Sequence, residues 1–107
     1  MKKIEYVVVF VTIPNNRTKK FVSFILENKF AACVNIVRNI NSYYWWEGKI
    51  CNDKESLLII KTTKKLSNKL INEIKKIHPY KVPEIIFLPI IAGNKEYLDW
   101  IKNSVKK

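Results

Sequence analysis

Val7-Val8-Val9-Phe10-Val11, within the apolar stretch Ile4 to Ile13 and halted by Pro14, is a β-branched run with no polar alternation. A strand wetted on one side alternates apolar with polar residues, whereas one buried on both faces does not. The run therefore predicts a central strand, and Leu57-Leu58-Ile59-Ile60 predicts a second of the same kind.

Outward from the first strand, Asn15-Asn16 is a capping signal. Phe21, Val22, Phe24, Ile25 and Leu26 then form an apolar face opposite Lys19, Lys20 and Glu27, predicting a helix to about Lys29. From Cys33 the period changes to two, with Val34, Ile36 and Ile40 expected on one side and Asn35, Asn39 and Asn41 on the other. That strand continues into Tyr43-Tyr44-Trp45-Trp46, and Glu47-Gly48 turns it back as a hairpin. Beyond Leu57 to Ile60, Thr62-Thr63 reads as a cap, and Leu66, Leu70, Ile74 and Ile77 fall at helical spacing until Pro79. Ile85-Ile86-Phe87-Leu88 is a fourth strand, and Gly93-Asn94 opens a last helix with Tyr97, Leu98, Ile101 and Val105 inward.

The order is βαββαβ with an extra C-terminal helix, an α+β ferredoxin-like sandwich forming one domain over residues 1–107. Two main helices cover one face of a four-stranded sheet, so the large apolar residues on the other face need a cover. Burying each contributes roughly 1.5 to 3 kcal/mol, which favours obligate self-association.

The longest apolar stretches, Tyr6 to Ile13 and Ile85 to Ala92, fall far short of the roughly 20 residues of a membrane-spanning helix. Lys2-Lys3 before an apolar run resembles a secretory leader, but Glu5 interrupts it and no small-residue cleavage site follows, so a buried strand is expected instead. Two cysteines without metal-like spacing, Cys33 and Cys51, fit a reducing cytoplasm better than a secreted scaffold. The net charge of +11 invites a polyanion partner, yet 18 of the 20 basic residues are Lys, accompanied by 11 Asn and 16 Ile. That is the signature of A/T-rich codons. Arg, the better residue for bidentate phosphate and base contacts, is the scarce one, which argues against nucleic acid.

Catalytic patterns are missing from the sequence. The one histidine, His78, has no identifiable triad partner, Gly48 and Gly93 make no phosphate-cradling loop, and two Asp with seven Glu show no paired spacing. At the end of the second helix, His78 reads as a cap or loop lock, or else as a metal ligand needing further nitrogen or sulfur donors. The aromatic hairpin reads as a surface that packs on a neighbouring subunit rather than a base-stacking platform.

Four segments together resemble the CutA family of divalent-cation tolerance proteins: Ala31-Ala32-Cys33-Val34-Asn35-Ile36, Tyr44-Trp45-Trp46-Glu47-Gly48-Lys49, His78-Pro79-Tyr80-Lys81-Val82-Pro83-Glu84, and Gly93-Asn94 with Tyr97-Leu98-Asp99-Trp100. Val11-Thr12-Ile13-Pro14 and Leu58-Ile59-Ile60-Lys61-Thr62 extend the match over nearly the whole chain. The resemblance implies a tight homotrimer, similar in shape to the PII signalling trimers, with hairpins extending between subunits. It also implies tolerance of copper and other divalent cations, with a Cys before the Thr-x-Pro segment and a His pair before Pro-Tyr as metal-associated positions. Here Val11 and Ile77 occupy the Cys and first His places, which leaves His78 as the soft-metal donor.

The expectation is thus a non-enzymatic, cytoplasmic trimer of the CutA type, with inter-subunit clefts near Lys61, Tyr80, Glu84 and Trp46, and a divalent cation such as copper as the ion it would take. The alternative is a PII-like signalling module binding a small anionic effector in those clefts through Lys61 and Lys81.

Overall fold

In the computed structural model, which describes residues 3–107, the chain runs β1 (Tyr6–Ile13), α1 (Thr18–Glu27), β2 (Cys33–Trp46), β3 (Lys49–Thr63), α2 (Ser67–Ile77), β4 (Ile85–Pro89) and α3 (Lys95–Ser104). Lys2, part of the leader-like segment, lies outside the described residues. The four strands form one antiparallel sheet in the order β2-β3-β1-β4. The two strands with unbroken apolar runs occupy its centre, as their sequence requires.

Alternation divides the sheet into two faces. Val7, Val9, Val11 and Ile13 of β1 join Leu58 and Ile60 of β3, Phe21 and Ile25 of α1, and Leu70 and Ile74 of α2 in the main core. The opposite face carries Val8 and Phe10 of β1, Leu57 and Ile59 of β3, Val37 of β2, and Ile86 and Leu88 of β4. Val37, Ile86 and Leu88 are exposed there at 43, 50 and 40%. The open apolar face anticipated from the helix count is present. α3 packs against β3 and buries Ile101, covering only part of what remains.

The β2–β3 hairpin is longer than the apolar runs indicated. Residues Lys49 to Thr63 form one continuous strand, so the return arm of the hairpin and the strand around Leu57 are a single element. Only Ser56 to Thr63 pair with β1, and the segment Lys49 to Glu55 pairs with β2 alone as a projecting two-stranded arm. Its turn places Glu47 at φ 49° and Gly48 at φ 77°, two left-handed residues whose twist matches the strands they join.

Three details depart from the sequence reading. A bulge at Arg38-Asn39, with Asn39 at φ 59°, sets Val37 opposite Leu57 but Ile40 opposite Glu55. The bulge reverses the alternation, so Ile40 lies on the open face rather than with Val34 and Ile36, and Asn41 goes to the other side. Asn15 does not cap α1, which begins at Thr18 after a 3-10 turn spanning Asn15–Arg17. The amide of Asn15 instead donates to Asn39 Oδ1 at 2.9 Å and accepts from Ser56 Oγ at 2.6 Å and the Asn39 N–H at 3.2 Å, clamping the bulge. Likewise Thr63 makes no capping bond, and the hydroxyl of Thr62 donates to the Phe30 carbonyl at 2.7 Å.

Candidate functional site

His78 ends α2, and its N–H donates to the Ile74 carbonyl at 2.8 Å. Pro79 follows, so the chain must leave the helix here. The ring turns inward, 7% exposed, between the edge of Phe21 and the Tyr80 ring 4.9 Å away. Its two nitrogens have partners of opposite kind. Nε2 lies 2.8 Å from the Thr12 carbonyl, which can only accept, and Nδ1 lies 3.0 Å from the Tyr80 N–H, which can only donate. Those partners fix the neutral tautomer with the proton on Nε2. Burial holds the His78 pKa below its ordinary value, against smaller opposing effects from the Thr12 hydrogen bond and the Glu55 charge.

The loop locked by His78 delivers Tyr80 to the sheet. Its hydroxyl donates to Glu55 Oε2 at 3.0 Å, and burial, then this bond, raises the phenol pKa. Glu55 lies on the open face of β3 and is only 5% exposed. Among the described residues no Lys or Arg forms an ion pair with it, so a neutral hydroxyl is its one side-chain partner. Glu84 comes from the loop before β4, and partial desolvation, then the Glu55 charge, lifts its pKa. Two positions nearer the hairpin tip, Asp53 accepts from the Tyr44 hydroxyl, which raises the Tyr44 pKa to about 12. A patch of negative charge therefore gathers where the arm leaves the body.

The four cleft residues do not meet within one chain. Tyr80 bonds to Glu55 and Glu84 is near enough to feel its charge, while Lys61 lies six positions along β3, on the order of 20 Å away, with its ammonium donating to Asn35. Trp46, 52% exposed, is opposite Lys49 at the hairpin tip, a similar distance in the other direction. Lys81 is exposed on the loop. Val11 is fully buried on the helix side of the sheet and Ile77 packs against the core, so both departures from the metal-associated pattern serve packing. No group of three His, Cys, Asp or Glu side chains is arranged to enclose a metal ion among the described residues.

Sequence reasoning missed Glu55 and Asp53. They sit in a polar segment, Asn52-Asp53-Lys54-Glu55, that reads as hairpin surface, and nothing local signals that Tyr80 will cover one of them.

The match to known proteins extends over this whole framework. Residues 7–104 fit the family model of the CutA1 divalent ion tolerance protein. The chain is 51% identical over 102 residues to the chloroplastic protein CutA 1 of Oryza sativa, covering 94% of this chain and 58% of that protein. It is 44% identical over 98 residues to the divalent-cation tolerance protein CutA of Thermus thermophilus, covering 91% of this chain and 95% of that one. The chain thus spans less than two thirds of the plant relatives and almost all of the bacterial one. The crystal structure of CutA1 from Oryza sativa superposes with a TM-score of 0.94 at 50% identity, covering 97% of this chain and 96% of that chain. The Thermus thermophilus structure gives 0.91 at 42% identity, covering 94 and 99%. With a family model matched from β1 to the end of α3 and solved CutA1 structures superposing on the same sheet and hairpin, this chain belongs to the CutA family of divalent-cation tolerance proteins.

Proposed function

We propose that this chain works as a non-enzymatic homotrimer in the response to divalent cations, with its ion-responsive surface at the boundary between subunits. The observation that carries the proposal is the buried carboxylate of Glu55, held by one neutral hydroxyl beside Glu84 and Asp53. A buried charge without a counter-charge is costly, and a cation or a neighbouring ammonium offsets that cost.

The pattern along β3 supports a ring. On the open face its side chains run Asp53, Glu55, Leu57, Ile59 and Lys61, an apolar strip with carboxylates at one end and an ammonium at the other. A head-to-tail ring needs two different surfaces that complement each other, which such a strip supplies. The number three comes from the family resemblance. In that arrangement Lys61 and Trp46 of adjoining chains would come to Tyr80 and Glu84, completing the cleft that a single chain leaves apart.

The oxygen donors Glu55 and Glu84 are the groups placed to meet a cation, including copper(II). His78 can take part only by surrendering the Tyr80 or Thr12 hydrogen bond. A reducing compartment belongs to the same proposal. Cys33 and Cys51 are free thiols at opposite ends of the hairpin, too far apart for a disulfide within the chain.

Calorimetric titration of copper and zinc into wild type, Glu84→Gln and His78→Ala tests the reading. Saturable binding that Glu84→Gln loses and His78→Ala keeps is expected. Binding lost only in His78→Ala would move the ion to the imidazole, and no binding to wild type would overturn the cation role.

A further inference from the structure

At the end of the sheet far from the hairpin tip, β1 begins, β3 ends and the tail after α3 crosses, bordering a cavity of about 400 Å³. Its lining includes the apolar side chains of Ile4, Tyr6 and Val105 and six lysines, Lys3, Lys64, Lys65, Lys102, Lys106 and Lys107, of which Lys106 also lies over the Phe30 ring and Lys107 donates to the Lys102 carbonyl. Glu5 is the only acid lining it, and none of the six ammonium groups forms an ion pair among the described residues.

Codon bias spreads lysine along a chain but gives no reason to concentrate it in space. Six of the 11 lining residues are Lys, against 18 Lys in the 107-residue chain. Like charges around one concavity repel each other and focus a positive potential into it, so an anion that enters relieves the repulsion. The walls are set beforehand by backbone bonds, from the Lys64 N–H to the Glu5 carbonyl and from the Lys106 N–H to the Lys29 carbonyl, each at 2.8 Å. The volume falls in the range of small-molecule sites, roughly 300–1,000 Å³. Lysines and apolar side chains lining one concavity match a ligand that is highly charged at one end and apolar at the other.

We propose that this cavity binds a small polyphosphate bearing an apolar or aromatic group, with the lining lysines holding the phosphates and Tyr6, Ile4 and Val105 contacting the remainder. Lysine suits the task as a mobile point charge that needs no fixed bidentate geometry. The site is on a different part of the chain from Glu55 and Glu84, so its success or failure is independent of the cation reading.

The test is calorimetric titration of the full chain with ATP and with inorganic triphosphate at an ionic strength of about 0.15 M, where delocalised surface attraction is largely screened. Two double variants carry the same change in net charge: Lys65→Glu with Lys102→Glu in the cavity lining, and Lys19→Glu with Lys75→Glu on α1 and α2. All four side chains are exposed, so folding is expected to survive, as circular dichroism would verify. The expected result is saturable ATP binding, tighter than inorganic triphosphate by at least about tenfold, lost in the cavity variant and kept in the helix variant. Equal loss in both variants would reduce the effect to net charge and overturn the site. Equal affinity for ATP and triphosphate would remove the apolar contact from the proposal, and no binding to wild type would end it.

Discussion

Protonating His78 would place a proton on Nδ1, the atom that accepts from the Tyr80 N–H, so two donors would face each other inside a buried pocket. The consequence is a stability that depends on pH with a definite sign. Above the ordinary value of 6.5 the ring is neutral in folded and unfolded chains alike, and its hydrogen bonds contribute in full. As the pH falls below 6.5, the unfolded chain binds a proton that the folded chain resists, and stability is lost. Glu84 acts in the opposite direction. Its raised pKa favours the folded state as pH falls through the folded value towards 4.5. Urea denaturation at pH 7.5 and pH 5.5 therefore isolates the histidine contribution by difference: His78→Ala should lose much of the decline that wild type shows. The variant should also cost on the order of 1–3 kcal/mol at neutral pH for each partner left unsatisfied. Tyr80→Phe tests the neighbouring bond, since it leaves the buried Glu55 without its hydroxyl donor; a loss of about 1.5–3 kcal/mol in the same measurement is expected.

At the scale of elements, the hairpin and its bulge hold the arm in place. Gly48 sits at φ 77° with nothing within 4 Å of an added Cβ, so Gly48→Ala meets strain without collision. The cost should be about 1–2 kcal/mol, read as a lower thermal midpoint. Asn15→Ala should cost a comparable amount, because it removes the acceptor of the buried Ser56 hydroxyl and the support of the bulge together. These positions also mark what could be read in the chain and what could not. Val7 to Val11 and Leu57 to Ile60 announced central strands because burial on both faces leaves a purely local trace. Glu47-Gly48 announced its turn for a similar reason. Asn15 carries only a capping signal in the local sequence because its actual partners, Asn39 and Ser56, are 24 and 41 residues distant. The bulge leaves only a faint trace, Ile36-Val37 followed by Arg38-Asn39, a break in alternation that a period-two reading passes over. His78 was legible as a loop lock, but the Glu55–Tyr80 contact joins two polar loop-like segments and left no pattern to find.

For the molecule as a whole, the open face is the decisive surface. Ile86→Asp puts a charge in the middle of its exposed apolar strip, and the change should leave the main core intact because Ile86 is half exposed in the single chain. Sedimentation at micromolar concentration is expected to show three chains for wild type and a shift towards monomer for the variant; a wild-type monomer would sink the assembly proposal. β3 links the features described above, running from the turn at Gly48, past Asp53 and Glu55, through Leu58 and Ile60 in the core, to Lys61 and the basic cavity at Thr63. Such a strand is sensitive to any change in length, because its register sets every one of these neighbours at once. Deleting one residue between Ser56 and Leu58 would slide the arm by one position, turning Glu55 towards the helices and setting Asp53 and Tyr80 against the wrong neighbours. In the evolution of this chain, insertions and deletions should therefore collect outside the strand, at the termini and in the exposed segment between β4 and α3, while β3 and the loop that carries His78 and Tyr80 keep their count.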